Sequence, residues 1–576
     1  MAQTILATVI KSMGWLRGAI DASTYVSSLP SEGGVSAVDA VAPNVTHLRP
    51  LGASTIKAIW EARALTAGIV LGLVIIFTVG YIRSPWRKLP PSPRRLPILG
   101  NALQLRDKSW LFSKDCKERF GDVMYLDGAG QPIIVCNSLK SAFELLERRS
   151  SNYSDRPRFI MAQEILNGGL LFALMRHNDR WRRMRRAAHE ALTKRVLRNY
   201  HPVLMKEATV LVSSLLTPSA NLRQDRHFKR VAASKVMSIV YDHPTIMSEH
   251  DQAAERIEIY NDRISKAAMM GSYYVDIFPW MNRIPERFAK WKQEGLQAFA
   301  EDSEMFKGLL NRVKVDLANG GDRPSFCASL IRHPDLGSLS ELEMSFLAGH
   351  LYSAGAETTA TSFLWWTLAM IAFPEVQRRA QAEIDDVVGR DRLPTFADSP
   401  RLPYVHAIIK EILRWRPSLA LGVPHAATEE DWYEGMYVPK GTVCISNLWH
   451  CNHDRAVFGE DADEFRPERH LDKHGESLPG PVETNQAGHV AFGFGRRICV
   501  GKDMAIESFF IDTARILWAA KLERAQDENG KEVPLDIETI VDAGVIYRPV
   551  PYECVVKPRF AEVESILADE RERFGI

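Results

Sequence analysis

The sequence predicts a mainly α-helical body with small, segregated β-sheets (an α+β fold), preceded by one N-terminal transmembrane helix. Three features of the chain lead there. Apolar residues recur with helical period over 180–214, 250–271, 285–316, 339–372, 374–388, 401–415 and 501–520. Strand-like runs are short, at 122–126, 132–136 and 442–446, and do not alternate with helices as βαβ units would. Residues 64–82, ALTAGIVLGLVIIFTVGYI, form one long uncharged run.

Taken in order, residues 1–63 are an N-terminal extension. Its first twenty residues place Ile5, Leu6, Val9, Ile10, Met13, Leu16 and Ile20 around Lys11 and Arg17 with no acid, which reads as an interfacial amphipathic helix or a weak organelle presequence, the former favoured. The run 64–82 rises about 1.5 Å per residue and is long enough to cross the hydrocarbon core. Arg83, Arg87, Lys88, Arg94 and Arg95 follow it, against Arg49, Lys57 and Arg63 before it. By the positive-inside rule the C-terminal part faces the cytosol and the extension faces the lumen. There Asn44-Val45-Thr46 would be a glycosylation acceptor. Residues 83–101 are a basic, proline-rich hinge, stiffened by Pro90, Pro91, Pro93 and Pro97. The body then runs over 102–560, without internal repeat or second low-complexity break, to a short tail at 561–576.

Lys and Arg number 72 and Asp and Glu 71, so the net charge of +1 gives no field to attract DNA or RNA, and nucleic acid is excluded as an expected partner. The seven cysteines form no CxxC pair, which removes zinc ribbons and thioredoxin-type redox pairs. Their scattered, odd set reads as reduced thiols, most of them core filler. Cys499 stands apart because of its neighbours.

Those neighbours are Phe492-Gly-Phe-Gly-Arg-Arg-Ile-Cys-Val-Gly501. Gly493, Gly495 and Gly501 permit tight turns and close approach. Arg496 and Arg497 put positive charge beside the thiol, and a helical run starts at Lys502; both favour thiolate, the form that ligates iron. A phosphate loop would need a preceding core strand and a GK[ST] ending, neither of which is present. The spacing Phe492, Gly495, Arg497, Cys499, Gly501 resembles the FxxGxRxCxG signature of the cytochrome P-450 superfamily.

That resemblance makes demands elsewhere in the chain. The family's ExxR element is matched by Glu411 and Arg414, and its PERF element by Phe465-Arg466-Pro467-Glu468-Arg469. The resemblance implies a structural triad of Glu411, Arg414 and Arg469 on the proximal side of the cofactor pocket. His470 stands where relatives carry an aromatic residue, a departure expected to have no consequence. Ser353-Ala-Gly-Ala-Glu-Thr-Thr359 matches [AG]Gx[DE]TT inside an apolar helical run. A glycine and threonines there loosen the helix ladder, and Thr358 with Glu357 would organise water and relay protons. Trp181 and Arg185, spaced i,i+4, fit WxxxR and would donate to haem propionates together with His425 and Arg497. Arg182, Arg183 and Arg186 are expected to be solvated charges or an attraction for an acidic electron donor.

The resemblance, covering about 85–565, therefore implies the cytochrome P-450 fold with haem b (iron protoporphyrin IX) bound through Cys499, and the style of the sequence is similar to fungal microsomal members. It implies a monooxygenase taking dioxygen and a small apolar substrate. NADPH–cytochrome P-450 reductase would be the partner on the endoplasmic reticulum membrane. Pocket candidates by family position are Phe159, Ile160, Leu171, Phe172, Ala354, Thr358, Ala420, Leu421, Val423 and Val545. Two other readings stand beside this one: a haem-thiolate isomerase or dehydratase, which would not need the acid–threonine pair, and a non-catalytic haem sensor.

Overall fold

The computed structural model describes residues 53–105, 111, 114–217, 224–248, 251–269, 271–542 and 544–576. The amphipathic segment expected over 1–20 and the Asn44 acceptor lie outside them. The chain divides into two compact units, Met1–Ile82 and Arg83–Ile576.

Helix α1 spans Ala53–Arg83. Its Trp60–Arg83 portion, 24 residues of mean hydropathy 2.4, is long and apolar enough to cross a membrane. At 1.5 Å per residue that portion covers about 36 Å, against a hydrocarbon core of about 30 Å. Leu65, Ile76 and Phe77 are exposed along it, and this one apolar helix is consistent with a membrane anchor. The helix starts before the apolar run does, at Ala53, and Lys57 and Glu61 pair one turn apart at 3.9 Å in that polar lead.

The second unit is mainly helical. Its longer helices are α2 (Asp179–Ala191), α3 (His201–Leu215), α4 (Gln224–Tyr241), α5 (Gln252–Ala268), α6 (Lys290–Ala318), α7 (Glu341–Ala372), α8 (Pro374–Val388), α9 (Pro403–Trp415), α10 (Lys502–Ala519) and α11 (Val563–Arg573). Helix α7 is the centre of the core. Ser340 and Glu343 close a capping box at its start, and Trp365 and Trp366 are fully buried in its last turns. Apolar residues on nearly every side let it pack against α4 and α6 at once.

One periodic run proves to be several elements. Over 180–214, α2 stops at Leu192 (φ −123°), Thr193 is extended, and α3 begins with Pro202 in its first turn, where the missing N–H costs nothing. Helix α4 lies in a stretch where no helix was expected. Its buried face carries Ser234, Lys235 and Ser238 among Val231, Val236 and Val240, which blurs the apolar period. Lys235 is tolerated there because it pairs with buried Asp512 on α10.

The sheets are small. Strands β1 (Val123–Gly128), β2 (Gln131–Cys136), β3 (His425–Ala426) and β6 (Val443–Ser446) form one sheet in the order β1-β2-β6-β3. Among the described strands, β2 and β6 alone run parallel, with Ile134 opposite Cys444. Two-stranded antiparallel pairs join β4 (Asp431–Tyr433) to β5 (Met436–Val438), β7 (Ala520–Arg524) to β10 (Cys554–Pro558), and β8 (Ile540–Asp542) to β9 (Tyr547–Pro549). The first sheet fixes the chain just after β3's lead-in, and α10 fixes the chain just after Cys499. Those two anchors frame the site.

Candidate active site

The loop before α10 is shaped by its glycines. Gly495 has φ +56°, and a Cβ there would lie 2.4 Å from the Leu146 carbonyl oxygen. Its amide donates to Glu147 Oε2 at 2.6 Å, and the Cys499 amide donates to the Phe492 carbonyl at 2.9 Å. Cys499 is surrounded by protein yet keeps accessible side-chain surface, as a residue lining an internal cleft does. A Cβ on Gly501 would stand 4.0 Å from its sulfur, an ordinary contact distance.

Burial raises the Cys499 thiol pKa, and the Gly501 amide, Arg185 and Lys502 only partly offset this. The cations acting on the sulfur are therefore not the adjacent arginines that the sequence suggested. Arg497 turns away, donating from Nε to the Ser154 carbonyl (2.7 Å) and from Nη2 to the Met175 carbonyl (2.8 Å), while Arg496 is exposed. A metal ion at the sulfur would supply the deprotonation that the protein leaves incomplete.

The residues fit a haem. The Arg497 guanidinium lies 3.9 Å above the Trp181 ring, and its Nη1 is buried without a partner. Burial pushes its pKa down to about 9. His425 shares a 2.7 Å hydrogen bond through Nδ1 with the Tyr153 carbonyl. Burial, Arg156 and Arg497 hold this histidine well below its usual range. Arg156 itself is buried and spends its donors on the carbonyls of Ala173, Val423 and Pro424. The nearby carboxylate, Asp155, is already taken by Arg176 and the His177 amide. Arg156 and Arg497 thus leave an excess of positive charge beside His425, which suits a metal porphyrin with two carboxylates.

Beneath the loop, Glu411 gathers four side chains and amides. Arg414 forks onto it at 2.7 and 2.8 Å, Arg469 Nε at 3.0 Å, and the Arg466 amide at 2.9 Å. Burial raises the Glu411 carboxyl pKa, but Arg414 and His470 outweigh it and hold the group below its usual range. His470 was expected to be inconsequential, yet its Nε2 sits 2.9 Å from Glu411 Oε2 in a buried position. A phenylalanine could not make that bond. Arg414 also binds the Asn452 carbonyl (2.8 Å), and Asn452 Oδ1 accepts the Val490 amide (2.9 Å), which ties the cluster to the segment entering the Cys499 loop.

On α7, Ala354 is exposed and Thr358 half-buried in mid-helix, although Tyr352 and Ala360 on either side are buried. Thr358 Oγ1 donates to the Ala354 carbonyl at 2.7 Å. Glu357 bonds Arg548 Nη2 on β9 at 2.6 Å. Among the pocket candidates, Phe159, Ile160, Leu171 and Val423 join one apolar cluster with Ala267 of α5. Phe172 stacks near Trp181 instead, Leu421 packs into the β1-β2-β6 core, Ala420 is buried and Val545 is half-buried. Arg183 pairs with Glu343 at 3.1 Å and Arg182 with Asp179; Arg186 is exposed.

No local pattern in the chain points to Arg156, Asn452 or Arg548.

Comparison with known proteins agrees with this geometry. The cytochrome P-450 family profile matches residues 90–542. A cytochrome P-450 monooxygenase of Armillaria gallica is 49% identical over 520 residues, covering 90% of this chain and 98% of its own. One of Postia placenta is 44% identical over 500 residues (87% and 94%), and one of Amanita muscaria 37% over 554 residues (88% and 97%). The chain belongs to the cytochrome P-450 family, a haem-binding family, and is a monooxygenase of it.

Proposed function

We propose that this monooxygenase would hold haem b through the Cys499 sulfur and that it inserts one oxygen atom of dioxygen into a small, mostly apolar molecule. The substrate class we favour is a fungal secondary metabolite such as a terpenoid or polyketide. The observation that carries the cofactor reading is the accessible Cys499 thiol together with the buried, partnerless Nη1 of Arg497, whose guanidinium lies over the Trp181 ring. Haem bound there supplies dioxygen activation, with thiolate donation favouring O–O cleavage.

The chain's own residues have the remaining tasks. Trp181, Arg185, His425 and Arg497 hold the propionates, and a carboxylate among them would let His425 carry its second proton. Phe492, Gly495 and Gly501 shape the loop, and Glu411, Arg414 and Arg469 brace it. The Thr358 hydroxyl would hold a water and Glu357 would exchange protons with solvent, a relay of the general acid kind. Phe159, Ile160 and Leu171 offer apolar surface to the substrate. Electrons come from NADPH through a separate NADPH–cytochrome P-450 reductase, which α1 would bring onto the same endoplasmic reticulum membrane, with Asn44 lumenal and the catalytic body cytosolic.

The test is expression with a reductase in yeast, feeding terpenes and polyketides under isotopically labelled dioxygen. We expect NADPH use that depends on substrate and oxygen, and one labelled atom in the product. A rearranged or dehydrated product without label would point to an isomerase or dehydratase instead.

A further inference from the structure

Several arginines that line the Cys499 loop and its support spread their donors over backbone carbonyls. Arg156 binds three, Arg414 binds three besides Glu411, and Arg497 binds two. Arg548 does not follow that pattern. Its one described hydrogen bond runs from Nη2 to Glu357 Oε1 at 2.6 Å, and its Nε is buried with no acceptor. A guanidinium held in place by a single carboxylate is dedicated to that carboxylate.

The backbone around the pair is fixed at both ends. Tyr547, beside Arg548 on β9, donates its amide to the Ser418 carbonyl (2.9 Å) and accepts from Trp365 Nε1 of α7 (3.1 Å). Ser418 Oγ lies 3.1 Å from Ser362 Oγ and 3.4 Å from the Thr358 carbonyl, which Ser362 also reaches at 3.0 Å. The links Thr358–Ser418–Tyr547–Arg548–Glu357 therefore close a ring that returns to the residue next to Thr358. Neighbours on a helix point about 100° apart, so Glu357 and Thr358 do not share a direction without outside help. The ring supplies it.

We infer that Arg548 is a positioning residue for proton delivery, acting through Glu357 by fixing where its carboxylate stands relative to the Thr358 hydroxyl. The inference rests on the relay reading above, and it adds the residue that sets the geometry of that relay. An arginine serving only to pin the β8–β9 hairpin would act independently of Glu357.

The experiment is a double-mutant cycle of Arg548→Gln and Glu357→Gln in the full-length holoenzyme with reductase, without added substrate. The readout is the ratio of NADPH to dioxygen consumed, one for peroxide and two for water, and its solvent isotope effect. A parallel cycle on urea unfolding followed by circular dichroism reads the pair without turnover. We expect each single variant to raise the peroxide share severalfold, the double variant to match the worse single one, and Arg548→Lys to restore most of the loss. The unfolding cycle should show the two positions coupled. If Arg548→Gln does not fold, Arg548→Met and Arg548→Met/Glu357→Gln carry the same comparison. Additive effects, or a wild-type isotope effect in Arg548→Gln beside an altered Glu357→Gln, overturn the role of Arg548 and leave the relay intact. An unaltered Glu357→Gln overturns both.

Discussion

Gly495 sits where a side chain has neither the backbone angle nor the room. With φ +56° and the Leu146 oxygen 2.4 Å from any Cβ, Gly495→Ala must move the Leu146 turn or the Cys499 loop. Backbone strain of this kind costs about 1–3 kcal/mol. We expect a lower urea midpoint and a smaller haem-loaded fraction, read from the Soret-to-protein absorbance ratio; a variant matching wild type in both would contradict the account of the loop. At Glu411 the stakes are higher, because Arg414 is fully buried and Arg469 nearly so. Glu411→Ala leaves Arg414 without its acid and Arg469 with Asp461 alone, and breaking a buried pair from one side costs about 3–5 kcal/mol. Loss of soluble holoprotein is the expected outcome. His470→Phe removes one bond to that same carboxylate and should cost about 1.5–3 kcal/mol, the range for a hydrogen bond to a charged group. An unchanged unfolding midpoint in His470→Phe would show that the bond carries no weight.

At the scale of elements, what could be read from the chain depended on how local the cause was. The Cys499 loop was legible because its glycines, arginine and sulfur lie within ten residues, and α7 because its apolar run is unbroken but for a few polar residues. Helix α4 was not, since Lys235 on its inner face is neutralised by Asp512, 277 residues away in sequence. The same distance hid Arg548 from Glu357, 191 residues apart, and Asn452 from Arg414, 38 apart. Cys499 shows the converse error. Sequence adjacency suggested Arg496 and Arg497 as its electrostatic partners, and the fold supplies Arg185 and Lys502. The β8–β9 and β4–β5 pairs, with strands of three residues each, are too short to show an alternating pattern at all.

For the whole molecule, burial of neutral histidines sets an acid limit. His350, His453 and His489 are pushed down to about 3 and His406 to about 4. In the unfolded chain each takes a proton near pH 6.5, whereas the folded chain refuses it until pH 4 or below. Stability is therefore complete above about pH 6.5 and falls as pH drops, by about 1.4 kcal/mol per unit for each group. Asp302 works the other way: desolvation raises it to about 6, so the folded state protonates first and one of the four contributions is offset below that pH. Glu411, held below its usual range, adds to the acid loss once pH falls below about 4.3, where the unfolded carboxyl protonates. Urea midpoints measured at pH 7, 6 and 5 should decline with growing slope, and a flat series would contradict the buried, neutral state of these rings.

All of the chemistry returns to the sulfur of Cys499 and the cations gathered beside it. The most direct measurement is X-ray absorption at the iron edge of the full-length holoprotein. One sulfur scatterer in the iron's first coordination sphere, lost in Cys499→His, is the result this account predicts. A coordination sphere of nitrogen and oxygen alone in the wild-type protein would contradict it.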